Sequence, residues 1–388
     1  MSDWQQIIKN QSIATLEKLA EKFGDAIDVE ALKPAFDNFQ MRITPAALDQ
    51  IKEVGDPMWN QYIPTVEELH VVDGVIDSLD EDGDSPVPNI THRYPDRALF
   101  LVSPVCATYC RFCTRRRKVG DPEKIPLNQY ESAFQYLREH TEIRDVIMSG
   151  GDPMMLSDRR LEYLFQQLRA IPHIEIIRIG SRITSHLPER ITPEFCEMVQ
   201  KYHPIFMNTH FNHPSELTSA AVAALDRLSK AGVSLGCQTV LLKGVNDDPK
   251  VMMKLMHELL KARVRPYYIF MADQVAGGEH FRTTVQKGLE IIQALRGWTS
   301  GLAVPQFVID SPGGGGKVPL LPEYVESITD DEVIFRNYEG KRYTYKQPKQ
   351  VPAAPSEVER AAELNVVPIS RRKTAAPRRT KRRRAAGE

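Results

Sequence analysis

ALFLVSPVCATYCRFCTRRRKVG (residues 98–120) runs from an apolar segment of strand length straight into three cysteines and a basic cluster. Cys106, Cys110 and Cys113 form C-x3-C-x2-C, a spacing that lets one short loop wrap three thiolates around a single metal centre. Soft thiolates suit zinc or an iron–sulfur cluster, but a closed zinc site or a four-cysteine cluster needs a fourth ligand. Three ligands leave one position open. The chain has five cysteines, an odd count with three crowded into eight residues, so a disulfide framework explains them poorly. Cys196 and Cys237 read as small buried hydrophobes, and a zinc site that borrows one of them is the bland alternative.

Outward from this loop, segments of strand length alternate with segments of helical periodicity. The expected strands are 98–104, 145–149, 174–180, 204–209, 234–241 and 266–271. Between them Leu161, Leu164, Phe165 and Leu168 recur at helical spacing, as do Leu217, Ala221, Ala224, Leu225 and Leu228. Six such units predict a parallel sheet with helices outside it, open or curled into a partial barrel. In such folds chemistry sits beyond the C-terminal strand ends, where the cysteine loop falls. A strand over 305–309, a glycine loop and a hairpin over 332–345 follow. The expected divisions are an N-terminal helical extension (1–95), the barrel (96–300), a C-terminal lobe (301–348) and a basic, disordered tail (349–388).

At 388 residues with 42% hydrophobic residues the chain can bury one sizeable core and carry an appended lobe. No apolar run of about 18 residues or secretory leader is visible, which predicts a cytoplasmic protein without a membrane span. The net charge of −1 hides nine Lys and Arg between Arg371 and Arg384; this run reads as a solvated extension, and nucleic acid is not an expected partner. The acidic stretch DSLDEDGDSP (77–86) fits a calcium loop at Asp80, Asp82 and Gly83 only, since Ser78 and Asn89 stand at its first and last positions; it reads as a solvated turn.

Two glycine-rich segments remain. Ser149-Gly150-Gly151-Asp152 follows the second strand, where glycine permits close backbone approach and a carboxylate accepts from an ammonium. Ser311-Pro312-Gly313-Gly314-Gly315-Gly316-Lys317 lacks the first glycine and the final Ser or Thr of a phosphate loop. What remains is a lysine on a compliant loop at the barrel mouth, where desolvation can make it an imine-forming nucleophile.

The cysteine loop resembles that of the radical S-adenosylmethionine (SAM) superfamily, and the P-G-G-G-G-K segment resembles that of its lysine and glutamate 2,3-aminomutase family. The similarity spans about residues 85–345 and includes THRYPDRALF, IRIGSRITSHLPERIT, NTHFNHPSE, VLLKGVND, VRPYYIF, EHFRT and LRGWTSG. It implies a radical-SAM partial (β/α)6 TIM-like barrel, a 4Fe–4S cluster on Cys106, Cys110 and Cys113, and an open iron that chelates SAM. Gly150, Gly151, Asp152, His210 and Gln238 then contact SAM. Lys317 forms the imine with pyridoxal phosphate, and Arg93 and Arg97 meet its phosphate. Arg115 pairs with the substrate carboxylate, although a solvated basic run is the plain alternative for residues 115–117.

Lysine enzymes of this family present two aspartates to the distal ammonium, here Asp273 and Asp310, whereas glutamate enzymes present a lysine and an asparagine. The resemblance therefore implies an isomerase that moves an amino group on L-lysine to give β-lysine. It also implies a flavodoxin- or ferredoxin-type reductant and a homo-oligomer. Arginine or glutamate as substrate, or a nucleic-acid-modifying radical enzyme, are the alternatives. Three departures stand out. Asp248 replaces a zinc cysteine and no cysteine follows Cys237, so zinc is not expected; Phe112 replaces a histidine and Phe270 a tyrosine.

Overall fold

A computed structural model describes residues 3–348; the basic tail, and the disorder expected for it, lie outside the described residues. The chain divides into two compact units, one ending at Pro322 and one starting at Glu323.

The first unit is built on a nine-stranded sheet in sequential order. Its strands are β1 (Ile90–Tyr94), β2 (Arg97–Ser103), β3 (Asp145–Gly150), β4 (Ile176–Ser181), β5 (Ile205–His210), β6 (Ser234–Leu241), β7 (Arg265–Met271), β8 (Gln306–Ser311) and β9 (Gly316–Pro319). All ladders from β2 to β8 are parallel, and β1 and β9 pair antiparallel at the two edges. One helix of at least eight residues crosses between each parallel pair: Tyr130–Glu139, Asp158–Arg169, Pro193–Gln200, Ser219–Lys230, Pro249–Lys261 and Val285–Leu295. The six expected strands and both expected helices are present. The edges nearly close, since the Lys317 N–H on β9 donates to the Tyr94 hydroxyl on β1 at 3.0 Å.

Side-chain alternation explains how a curled sheet serves two faces. In β4, Ile177 and Ile179 join Leu161, Leu164, Phe165 and Leu168 in the main core, while Arg178 faces a cavity. In β6, Leu235 and Cys237 pack outward and Gln238 inward. A period of two thus gives an apolar seam to the helices and a polar lumen. Each fully buried Leu, Ile or Phe of the seam contributes roughly 1.5–3 kcal/mol of transfer free energy. Five of the six crossover helices start on side-chain caps: Ser157, Thr192, Thr218, Asp248 and Thr284 each accept a backbone N–H in the first turn. Asp248, which stands where the resemblance implies a zinc cysteine, is a helix cap.

Three strands went unforeseen. β1 lies in the region expected to be helical, and β9 replaces what reads as an open loop around Lys317. In the second unit, β10 (Val325–Ile328) joins β11 (Glu332–Arg336) and β12 (Arg342–Lys346) in an antiparallel sheet. The β11–β12 hairpin is the expected one. Its turn is closed by Asn337 N–H to Lys341 O at 2.9 Å, with Gly340 at φ +79°.

No helix among the described residues is long and apolar enough to cross a membrane.

Candidate active site

The cysteine loop leaves β2 and is gripped by the N-terminal segment. Arg111, inside the C-x2-C, is buried and donates to both oxygens of the fully buried Glu68 (2.8 and 2.7 Å), which Arg116 joins at 3.0 Å. The Tyr109 N–H reaches Arg42 O (3.0 Å) and the Arg111 N–H reaches Gln61 O (2.9 Å). Breaking such a buried pair from one side costs about 3–5 kcal/mol, because it strands a charge away from water. The T-x-x-E spacing of Thr65 and Glu68 marks Glu68 in the sequence as a capping-box residue, whose carboxylate also accepts from the Thr65 N–H at 3.2 Å, and not as a partner of the cysteine loop.

The loop is also stitched to the end of β3. Gly151 N–H donates to Ser103 O and Asp152 N–H to Val105 O, and a Cβ on Gly150 or Gly151 would collide with those same backbones. Gly150 has φ +126°, a region open to glycine alone. The two glycines thus allow close approach of the cysteine loop itself. Asp152 is equally engaged within the protein: its buried carboxylate accepts from Met154 N (2.9 Å), Ser181 Oγ (2.8 Å) and Arg182 N (3.0 Å), while burial pushes its pKa up.

Burial likewise pushes the Cys106 thiol well up, reinforced by Asp152 and the other two cysteines; Cys110 is raised by burial against the pull of Arg182. Arg182 Nη1 lies 2.8 Å from Cys110 Sγ, its Nη2 2.7 Å from buried Glu216, and its guanidinium 5.2 Å from the Phe112 ring centroid. Three partly buried thiols with an N–H aimed at one of them suit thiolates bound to a cationic centre. Among the described residues no three His, Cys, Asp or Glu side chains are placed to hold one ion. A cluster takes each thiolate on a different iron, so the donor set fits 4Fe–4S. Cys237 is buried beside Thr239 and Cys196 within the core, as small hydrophobes.

His210, at the end of β5, and Gln238, within β6, are register partners. Burial, then Arg182, holds the His210 pKa well below the usual range, so the ring is neutral; it lies edge-on to Phe112 at 5.5 Å.

A cavity of about 440 Å³ in the barrel lumen collects most of the other expected residues: Arg93, Arg97, Arg115, Gln238, Asp310 and Lys317. A smaller one of about 170 Å³ shares Asp310 and adds Asp273. The three cysteines line a third, of about 460 Å³. Lys317 and Asp310 face each other across the β8–β9 ladder, and their side chains pair at 3.0 Å. Three glycines with φ between +64° and +88° (Gly313, Gly314, Gly316) make this tight reversal possible. The Lys317 side chain is 32% exposed and ion-paired, so the expected desolvation is absent; Asp310 is the base in reach of its Nζ proton. Arg97 stacks over Tyr94 (3.9 Å), and among the described residues its one ion pair is with half-exposed Asp96 through Nη1, so the rest of its fork can meet a phosphate. Arg93 is already held by Asp84 and by Leu79 O. A lysine, an arginine fork and a roomy polar lumen fit pyridoxal phosphate.

The acidic stretch is not a solvated turn, nor are residues 115–117 a solvated run; each partners the other. Glu81 binds Arg115 at 2.7 Å, Asp77 binds Arg117 at 2.6 Å, and Asp82 binds Arg117 (2.8 Å) and Lys118 (2.6 Å). The Asp82 pairs are exposed and worth little, whereas Glu81 is only 8% exposed. Burial would raise the Glu81 pKa, but Arg115 outweighs it and holds the carboxyl below its ordinary value. Matching runs of opposite charge were the available signal.

Asp273 has its pKa pushed up to about 7, by burial first and by the Asp310 charge second. In the unfolded chain it ionises near the ordinary value of about 3.9, so its contribution to stability falls as pH rises from there to about 7. For a ligand the sign reverses: an ammonium needs the ionised form. Affinity for an amino acid with a second ammonium is expected to rise as pH climbs through about 7, by up to roughly tenfold per unit below it, and Asp273→Asn to flatten the slope. Binding titrations at several pH values check this; an equally steep slope in the variant contradicts it.

A family model described as the radical SAM superfamily matches residues 100–256, and one described as lysine-2,3-aminomutase matches residues 292–375. The chain is 49% identical over 354 residues to the L-lysine 2,3-aminomutase of Fusobacterium nucleatum, covering 90% of this chain and 83% of that one. It is 49% identical to that of Clostridium subterminale (89% and 84% covered) and 43% identical to the glutamate 2,3-aminomutase of Clostridioides difficile (87% and 80%). Barrel, cysteine loop and lumen lysine agree with these matches, and the chain belongs to the lysine 2,3-aminomutase family of the radical SAM superfamily.

Proposed function

We propose that this protein interconverts L-lysine and β-lysine by moving the amino group between the α and β carbons. The observation that carries the choice of substrate is the Lys317 ammonium resting on Asp310 at 3.0 Å beside Asp273: the acidic end of the lumen accepts an alkylammonium. When bound, the cluster and SAM supply hydrogen-atom abstraction, and pyridoxal phosphate supplies a carbonyl that condenses with an amine and spreads an unpaired electron.

In this reading Cys106, Cys110 and Cys113 hold the cluster, and Arg182 steadies Cys110. Gln238 and His210 contact SAM, while Gly150, Gly151 and Asp152 shape its approach by fixing the cysteine loop. Lys317 carries pyridoxal phosphate, with Arg97, and Arg93 if Asp84 releases it, on the phosphate. Arg115 takes the substrate carboxylate. Once Lys317 is neutral and engaged elsewhere, Asp310 and Asp273 are left to the distal ammonium, whose desolvation they offset. A low-potential donor of the flavodoxin or ferredoxin type and a homo-oligomeric assembly belong to the same proposal.

Asp310→Ala leaves a buried ammonium without its partner, a loss of about 2–5 kcal/mol, so kcat/KM for lysine is expected to fall at least about 30-fold. Product analysis of the reduced, reconstituted enzyme measures it; wild-type conversion by the variant would remove the acidic end from the proposal.

A further inference from the structure

Glu81 lies outside every motif, yet it is buried against Arg115 in the wall of the lumen that holds Lys317 and Asp310. Its Oε1 accepts from Nε of Arg115 at 2.7 Å and also lies 2.7 Å from Nη2 in the ion pair, and Ser149 Oγ accepts from Nη1 at 3.2 Å. These two hydrogen bonds take two of the five guanidinium N–H groups and leave N–H groups on both Nη1 and Nη2 for a ligand. The segment that carries Glu81 is itself fixed: Ser85 Oγ donates to Glu81 O (2.6 Å), Gly313 N–H donates to Ser78 O (3.1 Å), and Arg93 reaches Leu79 O. Residues 77–84 thereby touch the cysteine loop, β1 and the glycine loop together.

We propose that Glu81 is the positioning residue of the substrate site, holding Arg115 by its side edge so that the free end of the fork receives the amino acid's carboxylate. This rests on the assignment of Arg115 to that carboxylate. Paired with Glu81, Arg115 offers oriented donors without a surplus of positive charge. Together with Asp273 and Asp310 the site then carries net negative charge, which favours an amino acid with a second ammonium over one with a second carboxylate. Orientation is what the pairing supplies, since a fork displaced by about 1 Å loses bidentate geometry.

The test uses holoenzyme kept unreduced, so that binding is read without turnover. Dissociation constants are measured for L-lysine and for L-lysinamide, which lacks the carboxylate, with thermal midpoints to check folding. Glu81→Ala is expected to weaken lysine at least about tenfold and lysinamide less than about twofold. Glu81→Gln, which keeps the acceptor, should restore lysine binding to within about threefold. In an Arg115→Gln background Glu81→Ala should add nothing, because it acts through Arg115. Unchanged or tighter lysine binding in Glu81→Ala, with Arg115→Gln still weak, overturns the role of Glu81 and leaves that of Arg115 standing. Unchanged binding in Arg115→Gln overturns both, and equal weakening of lysine and lysinamide shows a structural role only.

Discussion

Replacing Lys317 with Ala is expected to abolish turnover, by roughly 10⁴-fold or more, and to remove the visible absorbance of the lysine–pyridoxal phosphate imine. The chemistry requires a primary amine in the lumen within reach of a base. Lys317 is the lysine that lines this cavity, with Asp310 3.0 Å from its Nζ. Its loss also deprives Asp310 of a partner and removes a charge that lowers the Asp273 pKa, so Asp273 should titrate higher still in the variant. A spectrum of the reconstituted variant decides: an unchanged imine band would assign the cofactor to another lysine.

Cys110→Ser should be as severe by a different route. Two thiolates do not hold a 4Fe–4S cluster intact, and Arg182, now 2.8 Å from Cys110 Sγ, would face a weak hydroxyl ligand with its charge unanswered on that side. Iron per chain and turnover are expected to collapse together in anaerobically purified protein. Cys196→Ser, altering a core cysteine away from the loop, should retain iron. Full iron and activity in Cys110→Ser would dismiss the three-cysteine centre.

The seven parallel strands were legible as apolar runs of strand length, and the helices between them by their 3.6-residue period. β9 was not legible. Gly316 to Pro319 has neither alternation nor length, and it becomes a strand only because positive-φ glycines turn it back along β8; that ladder is what seats Lys317 opposite Asp310. The cysteines and Lys317 were singled out by their motifs and Arg97, Arg115, Gln238 and Asp310 by the family resemblance, and these residues line the lumen or the cysteine-loop cavity. Glu68, Glu81 and Arg182 were not singled out, since each works through a partner 34 to 72 residues away, and ion pairs across such distances leave no local pattern. The acidic stretch was misjudged for the same reason: taken alone, Asp77 to Asp84 is a solvated turn, and only the fold brings Arg115, Arg117 and Lys118 to it. Asp152 shows the reverse case, a motif residue whose carboxylate is taken up by Ser181 and backbone N–H groups.

Substrate choice is where these interactions converge, and one comparison tests it. The reduced enzyme, reconstituted with iron, sulfide, SAM and pyridoxal phosphate, is incubated separately with L-lysine, L-arginine and L-glutamate, and initial rates are compared. Asp273 and Asp310 favour a distal cation, so lysine should turn over fastest and yield β-lysine, with glutamate, whose second carboxylate meets two aspartates, at least about 100-fold slower. Faster conversion of glutamate or arginine than of lysine would contradict the assignment.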